Sequence, residues 1–198
     1  NITGPDRFKD FSLDYVIGAI HFVGNYPNGK PFSIAGKAPD FDEGLEIIFG
    51  NDFRKAAELY FKLNCELIQN QTPDILAHSD LIKNHNKGRF SENEVWYQKA
   101  VFEMLDCAKE KDVIIEVNTR GIYKNRSVEV YPSHFALKRM RELNIRTMLS
   151  ADTHLITELT TGFEQAAEVL LSVGYKEVTV LKNNHFIQVP FSTKGINY

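Results

Sequence analysis

Cysteine is scarce in this chain. With two in 198 residues, Cys65 and Cys107, each inside an expected helix and neither at ligand-like or redox spacing, a disulfide framework is excluded. Buried free thiols in a reducing compartment are the expectation. No apolar run approaches the ~20 residues of a membrane span, and residues 1–10 lack the basic-then-apolar pattern of a signal peptide, so the chain reads as cytoplasmic with no membrane partner. Nor is there a basic excess. Lys and Arg total 23 against 26 Asp and Glu, which leaves nothing to offset a phosphate polymer and argues against nucleic-acid binding. The densest basic stretch, Lys138, Arg139, Arg141 and Arg146, falls at helical spacing and reads as a solvated face. A Gly-x-Ser-x-Gly elbow and a phosphate-cradling glycine loop are also missing.

What is present suits one globular domain over 1–198. Hydrophobic residues make up 43% and charged residues 25%, enough apolar material for a core and too much for disorder. Apolar runs at Tyr15–Ile20, Ile75–Ala77, Val113–Val117 and Ile145–Leu149 read as strands. Between them lie helical patterns. One starts at Asn51 and runs through Phe53, Ala56, Ala57, Tyr60, Leu63 and Leu67; a second follows a Ser91/Glu94 capping box to about Lys111. A third follows Pro132 and Ser133, and a fourth covers Phe163–Val173 with Gly174 beyond its end. Residues 24–50, rich in glycine and proline at first, read as one long loop, a rim or lid. Val178–Leu181 and Phe186–Val189 flank Asn183-Asn184 like a hairpin. Alternation of strand and helix predicts an α/β fold with about five strands of parallel type.

Polar residues recur at one position in these units. His21, His78, Glu116 with Asn118, and Asp152 with His154 each stand at or just past the end of a different strand. Parallel strands bring such ends to one face, so these residues are expected to converge. Three imidazoles and a carboxylate suit a borderline divalent ion, Zn, Mn or Fe, and hydrolysis is the chemistry that such an ion favours. Taken singly, each histidine also reads as hydrogen-bonded scaffolding; the joint pattern favours a site. Asp80 either orients an imidazole or caps backbone donors, and Glu116 either orients a ligand or holds a buried cation. His85, His134 and His185 lie off the strand ends and read as surface residues.

Five segments in this order carry a resemblance: Asp14-Tyr-Val-Ile-Gly-Ala-Ile-His21-Phe, Asp74-Ile-Leu-Ala-His78-Ser-Asp80-Leu-Ile, Glu116-Val-Asn118-Thr-Arg120-Gly, Tyr131-Pro-Ser and Ser150-Ala-Asp152-Thr-His154. Together they resemble the histidinol-phosphatases of the polymerase-and-histidinol-phosphatase (PHP) superfamily over most of the chain. The resemblance implies a distorted seven-stranded (β/α)7 TIM-like barrel with up to three metal ions at its C-terminal face. It also implies hydrolysis of L-histidinol phosphate, a small-molecule phosphomonoester, to histidinol in histidine biosynthesis. By position, His21 and His78 match ligands of one ion, while Asp152 and His154 match the ligands of the others and are candidates to move the proton. Arg120 matches a phosphate clamp, with a solvent-facing loop arginine as the plainer alternative. Asp80, Glu116 and Asn118 stand behind the ligands. The family's opening His-x-His strand and its further His and Glu ligands have no counterpart, and Ala151 replaces a serine. The chain is therefore expected to form the C-terminal portion of the barrel, with too few ligands for three ions. Two alternatives stay open: another phosphomonoester such as a phosphotyrosyl protein, or a noncatalytic interaction module on the same fold.

Overall fold

A computed structural model describes residues 5–8 and 10–196. Part of the 1–10 stretch, read above as lacking a signal pattern, therefore lies outside the described residues. In chain order the elements are β1 (Ile17–Gly18), β2 (Phe22–Asn25), β3 (Pro31–Ser33), α1 (Ala38–Phe49), α2 (Phe53–Gln71), β4 (Ile75–Leu76), α3 (Val95–Glu110) and β5 (Ile114–Asn118). They continue with α4 (Arg120–Tyr123), α5 (His134–Glu142), β6 (Thr147–Ser150), α6 (Phe163–Ser172), β7 (Glu177–Lys182), β8 (His185–Ser192) and β9 (Gly195–Ile196). No helix among the described residues is long and apolar enough to cross a membrane.

Four strands form a parallel sheet in the order β1-β4-β5-β6. β5 lies inside it, and every residue of β5 is buried, as a strand with neighbours on both edges and helices packed over it requires. The helices α2, α3 and α5 pack in succession, and each buries one stripe: Ala56, Tyr60 and Leu67 on α2, Tyr97, Val101 and Leu105 on α3, Leu137 and Met140 on α5. β1 is shorter than the expected Tyr15–Ile20 strand; Tyr15 and Ile17 are exposed, and only Ile17 and Gly18 find partners on β4. α2 is capped by Asp52, one residue beyond the expected Asn51, whose φ of 65° instead carries the turn out of α1.

Residues 24–50 are not one loop. β2 and β3 pair as an antiparallel hairpin, and α1 packs on β3 and α2 to make a flap beside the sheet. The helix was hidden by its start: Pro39 lies in the first turn, where its missing N–H costs nothing, and Phe41, Leu45 and Ile48 follow at helical spacing. The count of about five parallel strands is likewise corrected to four among the described residues. β7 forms no ladder with β6; Asn183 and Asn184, at φ 50° and 61°, turn the chain straight back into β8, with which β7 pairs antiparallel.

Smaller expectations resolve locally. Two cations of the basic stretch are paired on the surface, Arg139 with Asp106 and Glu142 and Arg146 with Asp112, while Arg141 bonds the Gly174 carbonyl and Asn144. Cys65 and Cys107 are free but half-buried, because both line the open groove between α2 and α3; burial, then Cys107 itself, pushes the Cys65 thiol up to about 12. His85 is not a surface residue. Its ring stacks on Phe41 at 3.9 Å and bonds the Ile34 carbonyl at 2.9 Å, so the flap buries it. That contact joins elements far apart in sequence, so no local pattern announced it.

Candidate metal and phosphate site

The parallel register brings the ends of β4, β5 and β6 and the turn after β1 to one face. There a cavity of about 660 Å3 opens, lined by His21, His78, Glu116, Arg120, Asp152 and His154 among others. All four residues expected to bind metal, and the expected clamp, therefore share one cavity. His21 does not end a strand, however; β1 stops three residues earlier, and His21 immediately precedes β2.

His21 and His78 meet directly. Their Nε2 atoms are 3.1 Å apart. Burial and then His78 hold the His21 pKa below its usual value, while Asp152 opposes them, which favours the neutral, metal-binding form of the His21 ring. Two nitrogens bound at 2.0–2.1 Å to one tetrahedral ion would stand about 3.3 Å apart, which this pair nearly matches. His78 is held from behind. Its N–H donates to Glu116 Oε2 at 2.7 Å, its carbonyl accepts from the Tyr60 hydroxyl at 3.0 Å, and its backbone is left-handed at φ 26°. Its Nδ1 is buried with no hydrogen-bond partner among the described residues.

Asp152, also left-handed at φ 46°, sits at the end of β6. Non-glycine residues at positive φ are uncommon, and two of them carry candidate ligands here. Asn118 joins the carboxylates: its Nδ2 donates to Glu116 Oε2 at 2.9 Å and to Asp152 Oδ2 at 3.4 Å. Glu116 thus orients the backbone of His78, and among the described residues it pairs with no cationic side chain. His154 stands at the mouth with its side chain 69% exposed, its Nδ1 2.8 Å from Arg120 Nη1 and 3.9 Å from Asp152 Oδ1. Among the described residues no three His, Cys, Asp or Glu side chains converge closely enough to enclose an ion. The set is a tight imidazole pair with a looser Asp152–His154 pair beside it.

Two residues behave differently from their sequence reading. Asp80 orients no imidazole; its Oδ2 accepts from the Ser133 N–H at 2.7 Å and Oγ at 2.9 Å, and pairs with Lys83 Nζ at 3.0 Å, all buried. It caps no donor in its own turn either; the backbone donor it accepts from is at the start of α5, 53 residues away, with an ion pair added. Arg120 faces inward: Nη1 donates to the Asp152 carbonyl as well as to His154, and reaches the Tyr123 hydroxyl at 3.4 Å. The sequence reading leaves out Lys83, takes Tyr60 only as a core position of α2, and places Arg126 behind Arg120 for the clamp. A lysine three residues after Asp80 in an apolar stretch was the available signal for the ion pair; for the other two there was none.

No family model matches the chain. Curated relatives do: a protein of Deinococcus radiodurans named probable histidinol-phosphatase is 26% identical over 181 residues, 89% of this chain and 63% of that protein. Another of the same name from Clostridium acetobutylicum is 25% identical over 175 residues, 85% of this chain and 61% of that protein. The chain thus spans about three fifths of the length of these relatives. A Listeria monocytogenes structure named for histidinol phosphatase (HisK) superposes with a TM-score of 0.70 at 22% identity, covering 81% of this chain and 61% of that one. The chain has the fold of the histidinol phosphatase structures. A second of these, from Lactococcus lactis, matches with a TM-score of 0.63 at 16% identity over 98% of this chain and 65% of that one; it was solved with zinc, L-histidinol and phosphate.

Proposed function

We propose that this chain is a metal-dependent phosphomonoesterase of the PHP type that hydrolyses L-histidinol phosphate to L-histidinol and phosphate, as the C-terminal portion of a TIM-like barrel. The observation that carries the reading is the 3.1 Å convergence of His21 and His78 Nε2 in a cavity that Asp152, His154 and Arg120 also line. Similarity to proteins named for this activity, and the zinc, L-histidinol and phosphate bound by a neighbour in fold, support the substrate and the metal. The donor chemistry suits Zn, Mn or Fe: His21 and His78 would hold one ion between them, with the Asp152 carboxylate in the same cavity but not converged on that pair.

When bound, a divalent ion would supply Lewis acidity toward the phosphoryl oxygens and lower the pKa of a water. The chain's own residues set the rest. Glu116 and Tyr60 keep the His78 backbone, and so its ring, in place beside His21. Asp152 lies within Coulombic reach of His21 and can accept the proton of the attacking water. His154 Nδ1 lies between Arg120 Nη1 at 2.8 Å and the Asp152 carbonyl at 3.1 Å, contacts that hold its ring at the site, where it could ligate an ion or pass a proton to the leaving alkoxide.

One observation favours a second reading, a noncatalytic module: no group of three metal-capable side chains is assembled among the described residues. Elemental analysis with a phosphate-release assay on L-histidinol phosphate separates the two. The enzyme reading expects bound Zn, Mn or Fe and turnover that Asp152→Ala lowers by about a hundredfold or more. Equal turnover in both proteins, or protein that binds no metal and releases no phosphate, would overturn it. A panel including phosphotyrosyl peptide tests the substrate.

A further inference from the structure

Arg120 and Arg126 both line the cavity, yet they are in different states. One end of the Arg120 guanidinium is already spent on the protein, on the Asp152 carbonyl, His154 Nδ1 and the Tyr123 hydroxyl. Those contacts would orient the closing Asp-x-His segment and compete with a ligand. The Arg126 side chain is exposed, with no ion pair or side-chain hydrogen bond among the described residues. The lining carboxylates are Glu116 and Asp152, and Glu116 Oε2 is occupied by the His78 N–H and Asn118. Among the described residues neither lining carboxylate forms an ion pair with Arg126.

The backbone beneath it is anchored. The N–H groups of Arg126 and Ser127 both donate to the Gly121 carbonyl, at 2.8 and 3.1 Å. Gly121 in turn admits the Tyr131 ring so closely that a Cβ would lie 2.7 Å from it. Tyr131 donates its hydroxyl to Asn84 Oδ1 and forms, with Asn84, part of the same wall. The Arg126 charge reaches that phenol and partly offsets the upward push of burial on its pKa. A free guanidinium is therefore presented from a braced loop into the cavity that holds the imidazole pair.

We propose that Arg126 is the substrate-binding arginine of this site, donating to the phosphoryl oxygens of the bound phosphomonoester, and that Arg120 is a positioning residue for Asp152 and His154. This rests on the phosphomonoesterase reading above. A guanidinium offers two parallel donors to a phosphate dianion, a match that a lysine ammonium reproduces only in charge.

The test titrates inorganic phosphate calorimetrically into the zinc-loaded full chain, wild type, Arg126→Ala, Arg126→Lys and Arg120→Ala, alongside steady-state kinetics on L-histidinol phosphate. Arg126→Ala is expected to weaken phosphate binding and raise KM by about tenfold, with kcat within about threefold. Arg126→Lys recovers part of the loss, and Arg120→Ala acts mainly on kcat. Because Arg126 is exposed, its variants should keep the wild-type Tm. Wild-type phosphate affinity in Arg126→Ala overturns the proposal, as does a wild type that binds no phosphate. Phosphate binding that depends on Arg126 without turnover of any monoester would support the anion site and overturn the hydrolase reading. Turnover with no effect of Arg126→Ala would do the reverse.

Discussion

The carboxylate of Glu116, on β5, accepts the backbone N–H of His78, at the end of β4, across 2.7 Å. This bond lies under the imidazole pair and fixes the residue whose φ of 26° is otherwise unfavourable. Glu116 is buried and accepts Asn118 at the same oxygen. Glu116→Ala would leave two buried donors unpaired and is expected to cost about 3 kcal/mol in urea unfolding. Glu116→Gln keeps an acceptor and should cost less than half as much. Equal costs would show that the charge, not the acceptor, is what matters.

Lys83 is a buried cation with a complete set of partners: Asp80 Oδ2 at 3.0 Å, the Val130 carbonyl at 2.8 Å and Ser133 Oγ at 2.8 Å. It ties the segment after β4 to the start of α5. Lys83→Met strands the Asp80 charge and is expected to destabilise by about 3–5 kcal/mol. The double variant Lys83→Met/Asp80→Asn should recover part of that loss. Equilibrium denaturation of the single and double variants measures both.

Gly44 lies in α1, where alanine would ordinarily favour the helix. Here a Cβ would meet the Phe32 ring at 2.2 Å and the Tyr26 hydroxyl at 2.8 Å. Gly44→Ala should therefore destabilise, by about 1–3 kcal/mol, by forcing α1 off the β2–β3 hairpin. Thermal unfolding checks the sign, and limited proteolysis should show cutting within 22–49.

His85 gives stability a pH dependence of definite sign. Burial lowers its pKa below the usual 6.5; the Ile34 carbonyl and Asp42 oppose that shift, and Lys87 and Arg89 add to it. The unfolded chain therefore binds the proton first as pH falls. Stability is full above about pH 6.5 and declines below it, by at most about 1.4 kcal/mol per pH unit for this group. His21, lowered as well, adds to the same slope. His85→Phe keeps the ring against Phe41 and should shallow the slope between pH 6.5 and 5 in denaturant titrations. An unchanged slope would remove His85 as its source.

Much of the core was legible because it is periodic. The stripes of α2 and α3, the buried run of β5 and the Asn183-Asn184 turn are local patterns, and each became the expected element. The flap over 22–49 was not legible, since its short strands are broken by glycine and proline and its helix opens on Pro39.

For the site, the positions of the polar residues along the chain determined which ones face a common cavity, because parallel strands put their carboxyl ends on one side. The roles within that cavity were decided by contacts across the sheet. His21 meets His78 over 57 positions, Asp80 turns to Ser133 over 53 and Arg120 to His154 over 34. No local pattern encodes such pairs, since a side chain's partner there depends on how separate elements pack. Strand-end placement is a property of the amino-acid order; whether an arginine is occupied or free, and which acid braces which imidazole, is a property of the folded chain.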